Sequence, residues 1–224
     1  MINMQPFKLL IFDWDGTLAD TIGPIVKALQ YAFQHHQLPI PEAHAIRQLI
    51  GYNLTGLITS LQPSLSEAQG IAVARSYSDY VLNPSHHVMH LFDEVIPCLE
   101  TLQQQGYWLA VATGKGRTEL DLAIAQSNTA HFWLTTRCAS ECVSKPSPDM
   151  IFQICNELGV YPNQSLVLGD TTHDLLMAAN AGAAAIALNT GAHSAEKLQS
   201  APHLTLLNTL AALPTYLQTL SSTA

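Results

Sequence analysis

The 224-residue chain has few basic residues and few charges of either sign. Nine lysines and arginines stand against seventeen acidic residues, the formal net charge is -8, and charged residues make up 12% of the chain. A negative field repels the phosphate backbone of nucleic acids and anionic lipid surfaces. The sequence therefore argues against nucleic acid or a membrane surface as a partner. A small anionic ligand would need local positive charge from a metal ion, a lysine or a helix N-terminus.

Cysteine is scarce and long apolar runs are absent. Four cysteines are too few for a disulfide framework in a chain of this length. Cys138 and Cys142 stand four positions apart, as in some metal sites, but no second Cys or His pair follows at zinc-finger spacing. We expect free thiols and, with no signal peptide before Phe7, a cytoplasmic location. The apolar runs are far shorter than the roughly 20 residues that a bilayer span requires, so no transmembrane helix is expected.

Short apolar runs alternate with longer helical patterns along the chain. The runs cover residues 7–12, 108–112, 132–135, 165–168 and 184–188, and a stretch long enough for a helix separates each from the next. This alternation predicts an α/β fold with a doubly wound parallel sheet. We also expect a short edge strand at residues 204–206 and a final helix over 207–220, interrupted near Pro214.

The segment between the first two predicted strands is unusually long. A simple crossover needs about a dozen residues, whereas residues 21–89 carry helical periodicity that is broken at Pro39, Pro41, Gly51 and the Asn83-Pro84 step. We predict an inserted α-helical subdomain over residues 20–90. The α/β domain would then comprise residues 1–19 and 91–224.

Acidic residues follow two of the predicted strands, where α/β sheets place their active sites. Asp13 and Asp15 come after the first strand, and Asp170 and Asp174 come after the strand over residues 165–168. The first pair could supply a nucleophile and an acid/base, although a helix-capping turn would read the same way. Four carboxylates at one edge would repel one another. Oxygen ligands without a soft ligand favour Mg²⁺ over Zn²⁺ as the compensating charge.

Two further segments could bind a phosphoryl group. Thr113 and Gly114 end a predicted strand and offer a hydroxyl and backbone amides at a helix start. Lys145 lies between turn-forming residues before another helix, which would hold its ammonium group rigidly, although alone it could be a solvated turn.

Together these segments resemble the motifs of the haloacid dehalogenase superfamily. Asp-x-Asp-Gly-Thr-Leu, a strand-borne Thr-Gly, Lys-Pro-x-Pro-Asp and Gly-Asp-Thr-x-x-Asp occur in the superfamily's order. The predicted helical insert lies where subfamily I members carry an α-helical cap. The chain looks similar to the phosphoglycolate phosphatase-like branch, and the resemblance covers essentially its whole length.

The resemblance implies a role for each motif residue. Asp13 would attack phosphorus and form an aspartyl-phosphate, and Asp15 would act as general acid and then general base. Thr113, Gly114 and Lys145 would hold the phosphoryl group. Mg²⁺ would be bound by Asp13, by the carbonyl of Asp15, by Asp170 and by Asp174, the last either as a ligand or as an outer-shell partner. Dehalogenase members lack the second aspartate of the first motif, which favours a phosphate ester as substrate.

The resemblance therefore implies a Mg²⁺-dependent phosphomonoesterase that acts on a small phosphorylated metabolite, as a monomer or homodimer. A sugar-phosphate mutase uses the same core residues and stays an alternative, as does a catalytically silent protein that binds a phosphorylated ligand.

The predicted cap offers its own candidates for substrate contact. Arg47 and Gly51 are the two we single out, although an exposed helix end and an ordinary helix break would look the same. Lys115 and Arg117 could add positive charge to the site or be solvated. Several histidines of the cap region are interpreted as surface residues, because they lack a metal-binding spacing. They are His35, His36, His86, His87 and His90.

Overall fold

The computed structural model describes residues 7–83, 85–86 and 89–222, so Pro84 and His87 lie outside the described residues. Six strands and ten α-helices are found in these ranges. The strands are β1 Leu9–Phe12, β2 Trp108–Thr113, β3 Thr135–Cys138, β4 Ser165–Gly169, β5 Ala184–Leu188 and β6 Leu206–Leu207. The helices are α1 Ile22–His35, α2 Ala43–Leu49, α3 Leu54–Leu61, α4 Glu67–Leu82, α5 Val95–Gln104, α6 Arg117–Ser127, α7 Asp149–Leu158, α8 Thr172–Ala181, α9 Ala195–Leu198 and α10 Leu213–Ser222.

The strands form one parallel sheet with the order β3-β2-β1-β4-β5-β6. From β1 the sheet extends through β2 and β3 on one side and through β4, β5 and β6 on the other, so the strand order reverses between β1 and β4. In open α/β sheets a crevice forms at such a switch point, outside the carboxyl ends of the strands. The doubly wound α/β fold is therefore as the sequence predicted.

The sheet separates two apolar cores. Successive side chains of a strand point to opposite faces, so Leu10 and Phe12 enter one core with α5, α6 and α10, while Leu9 and Ile11 enter the other with α7, α8 and α9. All four side chains of β1 are fully buried. A continuous apolar run at β1 is the expected pattern for a strand covered on both faces.

Helices α1–α4 follow β1 and bury their apolar faces mainly against one another. The chain enters and leaves this helical group at neighbouring points, where Asp20 N donates to His90 O at 2.9 Å and Ala19 pairs with Leu91. These contacts support the division that we propose, with residues 20–90 as the cap and residues 1–19 and 91–224 as the α/β domain.

Two element predictions were wrong in position. The third strand was expected over 132–135 but lies at Thr135–Cys138, and Ala130–Phe132 form a 3₁₀ turn. Because β3 is a sheet edge, polar Thr136 and Arg137 are tolerated in it, and the apolar run marks core packing of Phe132 instead.

The final helix begins at Leu213, later than predicted, after β6 and a 3₁₀ turn at Leu210–Ala212. Pro214 does not interrupt it. It lies in the first turn, where a missing N–H removes no intrahelical hydrogen bond.

All four cysteines are free thiols. Among the described helices, none combines the length and the apolar character needed to cross a lipid bilayer.

Candidate active site

The predicted catalytic residues meet at the switch point of the sheet. Asp13 follows β1, Thr113 ends β2 and Asp170 follows β4, so the three arrive at one edge because the strands are parallel. Asp174 comes from the first turn of α8, and Lys145 comes from the loop before α7. All five are buried.

Lys145 joins two of the carboxylates. Its Nζ atom donates to Asp13 Oδ1 and to Asp174 Oδ1, at 2.6 Å each, and its side chain is fully buried. Asp174 is held independently, since its Oδ2 accepts from the amide and the hydroxyl of Thr171 in a capping box. The contacts fix both carboxylates before any ligand binds.

Asp170 is fixed from the other side. Its Oδ1 accepts from Thr17 Oγ1 at 3.0 Å, and its Oδ2 accepts from Ala192 N at 2.7 Å. The backbone approaches this carboxylate so closely that a Cβ on Gly191 would lie 1.9 Å from Asp170 Oδ2. Only glycine fits at this position, which explains why Gly191 stands in the Thr190-Gly191-Ala192 segment after β5.

Burial makes this group of acids electrostatically strained. The pKa of Asp13 is raised to about 7, first by burial and further by the carboxylates of Asp174 and Asp15, which together outweigh the lowering by Lys145. Burial, followed by the charges of Asp13 and Asp174, also raises the pKa of Asp170 well above its ordinary value. One lysine therefore does not balance the acids when all are ionised.

The same residues fit a hard divalent cation. Asp13, Asp170 and Asp174 each offer a carboxylate oxygen, and these atoms lie within 4.8 Å of one another. Buried oxygen donors with an unbalanced negative charge suit Mg²⁺ better than a soft metal. The Asp15 side chain does not join this group.

Asp15 has a separate environment. Its Oδ1 lies 2.8 Å from Lys115 Nζ and accepts from Thr21 Oγ1 at 2.5 Å. The Lys115 side chain is only 9% exposed, so it belongs to the site and is not a solvated charge. Burial lowers the pKa of Lys115, but the nearby carboxylates of Asp15 and Glu119 outweigh burial and raise it overall. Arg117 instead pairs with Glu141 and Asp121, away from this group.

Thr113 and Gly114 lie where the cap meets the α/β domain. Thr113 is fully buried, and its Oγ1 accepts from Lys115 N at 3.2 Å. A Cβ on Gly114 would lie 2.9 Å from Tyr52 O and 3.1 Å from Gly51 O. The loop between α2 and α3 therefore rests directly on the predicted phosphoryl-binding segment.

Gly51 lies in this loop, close to the α/β domain. Its φ of +103° is in the region that favours glycine, and a Cβ would lie 3.1 Å from His173 Cδ2. The neighbouring Tyr52 ring packs against the His173 ring with centroids 4.1 Å apart and the ring planes tilted by 45°, and Asn53 N donates to Ser144 Oγ at 2.9 Å. Gly51, unlike Arg47, thus lies at the predicted site.

A second set of contacts links the cap to the turn after β5. Thr172 N donates to His193 Nδ1 at 3.0 Å, so the hydrogen of the neutral ring lies on Nε2, which donates to Gln48 O at 3.3 Å. Burial, followed by the charge of Lys197, lowers the pKa of His193 to about 4 and keeps the ring neutral. Lys197 Nζ also donates to Gln48 Oε1. We call Gln48, His193 and Lys197 the clasp.

Arg47 is not brought to the site. It lies on the exposed side of the last turn of α2 and is not among the described residues that line the cavity. The adjacent Gln48 makes the contacts instead, because a helix turns by about 100° per residue and only one of two neighbours can face the α/β domain. No motif includes Gln48, His193 or Lys197, so nothing in the sequence pattern pointed to them. His173 does lie within a motif, at a position that assigned it no role.

A cavity of about 280 Å³ lies between the cap and the acids. Asp13 and Asp15 line it from the side of the α/β domain. We call Asp13 and the three charged residues grouped with it, Lys145, Asp170 and Asp174, the floor. The cap covers it with side chains that are mostly apolar. We call these the roof, and they are Ile25, Leu29, Ile50, Leu54, Leu57 and Tyr77.

Known proteins share this architecture. Residues 10–188 match the family model described as Haloacid dehalogenase-like hydrolase. The chain is 34% identical, over 92% of its length and 90% of the relative's, to a Dickeya dadantii protein named Probable phosphatase IndB. It is 30% identical, over 85% of its length and 88% of the relative's, to a phosphoglycolate phosphatase of Mannheimia succiniciproducens. The crystal structure of a predicted phosphoglycolate phosphatase from Haemophilus somnus shares the fold, with a TM-score of 0.86, 24% identity and coverage of 95% of this chain and 99% of that chain.

Proposed function

Because the chain belongs to the haloacid dehalogenase-like hydrolases and has relatives named as phosphatases, we propose that it is a Mg²⁺-dependent phosphomonoesterase. Its substrate would be a small phosphorylated metabolite, as for the phosphoglycolate phosphatases that it resembles. The observation that carries this proposal is the position of Asp13 and Asp15 beneath one small cavity, in two different environments.

Asp13 is the proposed nucleophile. A carboxylate oxygen of Asp13 attacks phosphorus, the bond from phosphorus to the alcohol oxygen breaks, and an aspartyl-phosphate forms. The contact with Lys145 at 2.6 Å supports this role, because it favours the ionised carboxylate and fixes its direction. Asp13 still lines the cavity while it contacts Lys145, so a substrate can reach it.

Asp15 is the proposed acid and base. It donates a proton to the departing alcohol oxygen, and it then accepts a proton from the water that attacks the phosphorus of the aspartyl-phosphate. Its contacts with Thr21 and Lys115 hold the carboxyl group apart from the floor, so the two aspartates can differ in charge while lying two residues apart.

Lys145, the Thr113 hydroxyl and the Gly114 amide are proposed to hold the phosphoryl oxygens. Asp13, Asp170 and Asp174, with the Asp15 carbonyl as the family resemblance implies, would bind Mg²⁺. When bound, the ion would neutralise charge on the transferring phosphoryl group and orient it for in-line attack. The three carboxylates within 4.8 Å of one another support this assignment.

The proposal is tested by phosphate release from para-nitrophenyl phosphate and a panel of metabolite phosphates, with Mg²⁺ and with EDTA. We expect release with Mg²⁺ and at least about a hundredfold less with EDTA, because the ion carries much of the charge stabilisation. Isomerisation of a sugar phosphate without phosphate release would instead establish the mutase alternative. No turnover of any ester with Mg²⁺ would overturn the enzyme assignment.

A further inference from the structure

We propose that the site selects phosphate monoesters whose leaving group is electrically neutral and disfavours those whose leaving group carries a carboxylate. The proposal rests on the proposed phosphatase function and concerns which substrate that site accepts. Phosphoglycolate, whose leaving group is an α-hydroxy carboxylate, would be a poor substrate by this criterion. Four features of the cavity carry the inference.

The positive charges of the floor are already used. Lys145 is bonded to Asp13 and Asp174, and any bound cation would face the same three carboxylates and the phosphoryl group. Lys145 lies at the sheet edge formed by the carboxyl ends of the strands, and a cation held by these carboxylates would lie there too, on the side of the phosphoryl group. The leaving group must point away from the floor, because the nucleophile and the departing oxygen lie on opposite sides of phosphorus in an in-line displacement.

The remaining surface of the cavity gives a carboxylate little to pair with. Among the described residues that line it, Lys115 is the only lysine or arginine, and its Nζ already lies 2.8 Å from Asp15 Oδ1. Glu119 lines the same surface and adds a negative charge. After burial, the Glu119 carboxylate is the next cause of the raised pKa of Tyr77, another residue of the cavity lining.

The roof offers apolar surface and neutral hydrogen-bonding groups. Ile25, Leu29, Ile50 and Leu57 cover the cavity from the cap, and the buried Tyr77 lines it with them. An anion beside such side chains loses hydration and meets no opposite charge, and neutral hydrogen-bond donors replace only part of what it loses. A neutral hydroxyl or amide costs far less to bury, because it carries no charge and can bond to the same tyrosine, serine or asparagine groups.

The N-terminus of α3 also lines the cavity and would attract an anion, as would the N-terminus of α6, which the transferring phosphoryl group itself would use. A helix N-terminus carries roughly half a positive charge. Asn53 already caps this helix, with its Oδ1 accepting from Gly56 N at 2.7 Å. The Asn53 side chain thus already places an oxygen acceptor at the end of α3, which weakens the attraction of this helix for an anionic leaving group.

The size of the site is consistent with a modest leaving group. The volume of about 280 Å³ is near the lower end of ligand pockets, which span roughly 300–1,000 Å³. A second cavity of about 560 Å³ adjoins it and shares Ile25, Tyr77, Lys115 and Glu119 with it. Larger neutral leaving groups could extend in that direction.

The experiment compares phosphoglycolate with its amide, phosphoglycolamide, which has the same number of heavy atoms but no charge on the leaving group. Each ester is measured for its own turnover with Mg²⁺ and as an inhibitor of para-nitrophenyl phosphate hydrolysis. We expect kcat/KM for the amide to exceed that for phosphoglycolate by about tenfold or more, and its inhibition constant to be lower, because a nearby like charge opposes the anion.

Two variants connect this preference to the cavity. Leu54→Lys adds a cation to the roof and should reverse the preference in favour of phosphoglycolate, whereas Leu54→Met is the neutral control and should keep it. Glu119→Gln should lower the ratio of kcat/KM for phosphoglycolamide to that for phosphoglycolate by severalfold. Equal or faster turnover of phosphoglycolate by the unmodified enzyme would overturn the selectivity proposal and leave the phosphatase assignment intact. Failure to hydrolyse para-nitrophenyl phosphate as well would overturn the phosphatase assignment itself.

Discussion

The floor and the roof of the cavity are built in opposite ways. Every floor residue is charged, buried and fixed by contacts within the α/β domain, such as the two ion pairs of Lys145. The roof is mostly apolar, belongs to the helices of the cap, and meets the α/β domain through a few contacts of the loop around Gly51 and through the clasp.

The difference assigns separate tasks to the two sides. A floor fixed by hydrogen bonds is preorganised for charge that develops during phosphoryl transfer, which is where fixed dipoles and ions contribute most. We expect a roof held by a few contacts to open for substrate and close again, and we expect its shape to determine which leaving groups fit. Changes in the floor should therefore affect all substrates alike, and changes in the roof should affect them unequally.

The largest expected effect comes from Asp13→Asn. The amide has nearly the same shape but cannot act as the nucleophile, so kcat should fall about a thousandfold or more for every phosphomonoester. Steady-state kinetics on para-nitrophenyl phosphate and two other esters would measure this. Circular dichroism should show an unchanged fold.

Asp79→Asn is the matched control, because Asp79 lies on the exposed side of α4 and outside the site. It should retain full activity. An Asp13→Asn enzyme that keeps more than a tenth of the turnover would show that another residue attacks phosphorus.

A smaller effect is expected from the metal, measured without any substrate. A ligand at a hundred times its Kd stabilises a protein by about 2.7 kcal/mol, so saturating Mg²⁺ should raise the free energy of unfolding of the unmodified protein by about that amount. Asp170→Asn should abolish most of the gain, since it removes one of three clustered carboxylates. Urea unfolding with Mg²⁺ and with EDTA gives both values.

The Asp79→Asn protein again serves as the control and should keep the full Mg²⁺ effect. If Asp170→Asn were stabilised by Mg²⁺ as much as the unmodified protein, the ion would bind elsewhere and the floor would not be the metal site.

The smallest expected effect comes from the clasp. Gln48→Ala removes the side-chain acceptor of Lys197 and should loosen cap closure, with kcat/KM falling about tenfold, the value of one hydrogen bond to a charged group. The fall in kcat/KM should be greatest for small esters, because they make the fewest contacts with the roof and so contribute least to holding it closed.

Gln126→Ala, on the exposed side of α6, is the control for the loss of a glutamine side chain. Unchanged kinetics in Gln48→Ala would mean that the loop around Gly51 holds the cap closed without the clasp.

The sequence was sufficient to predict the doubly wound sheet and the residues of the floor. Asp13, Thr113 and Asp170 each follow an apolar run, and parallel strands bring their carboxyl ends to one edge, so proximity follows from chain order alone. The third strand was misplaced because an edge strand such as β3 needs no continuous apolar run.

Contacts across the cap were beyond prediction. Gln48 and Lys197 are 149 positions apart, and their meeting depends on how α2 is rotated and how far the cap is closed. The same is true of Lys115, whose residue type indicates a charge but not whether it is solvated or buried against Asp15. The prediction for Arg47 was wrong by one position, because the neighbouring Gln48 is the residue that contacts the α/β domain.

The amino-acid sequence by itself determined the α/β fold and the set of acids and lysine at the candidate active site, because strand periodicity and motif spacing are local properties of the chain. The tertiary structure alone decided that Asp15 is paired with Lys115, that the roof is apolar, and that Glu119 is the acid beside it. These depend on packing between segments far apart in the chain, where a rotation of one helix by a single residue exchanges the side chain that faces the cavity.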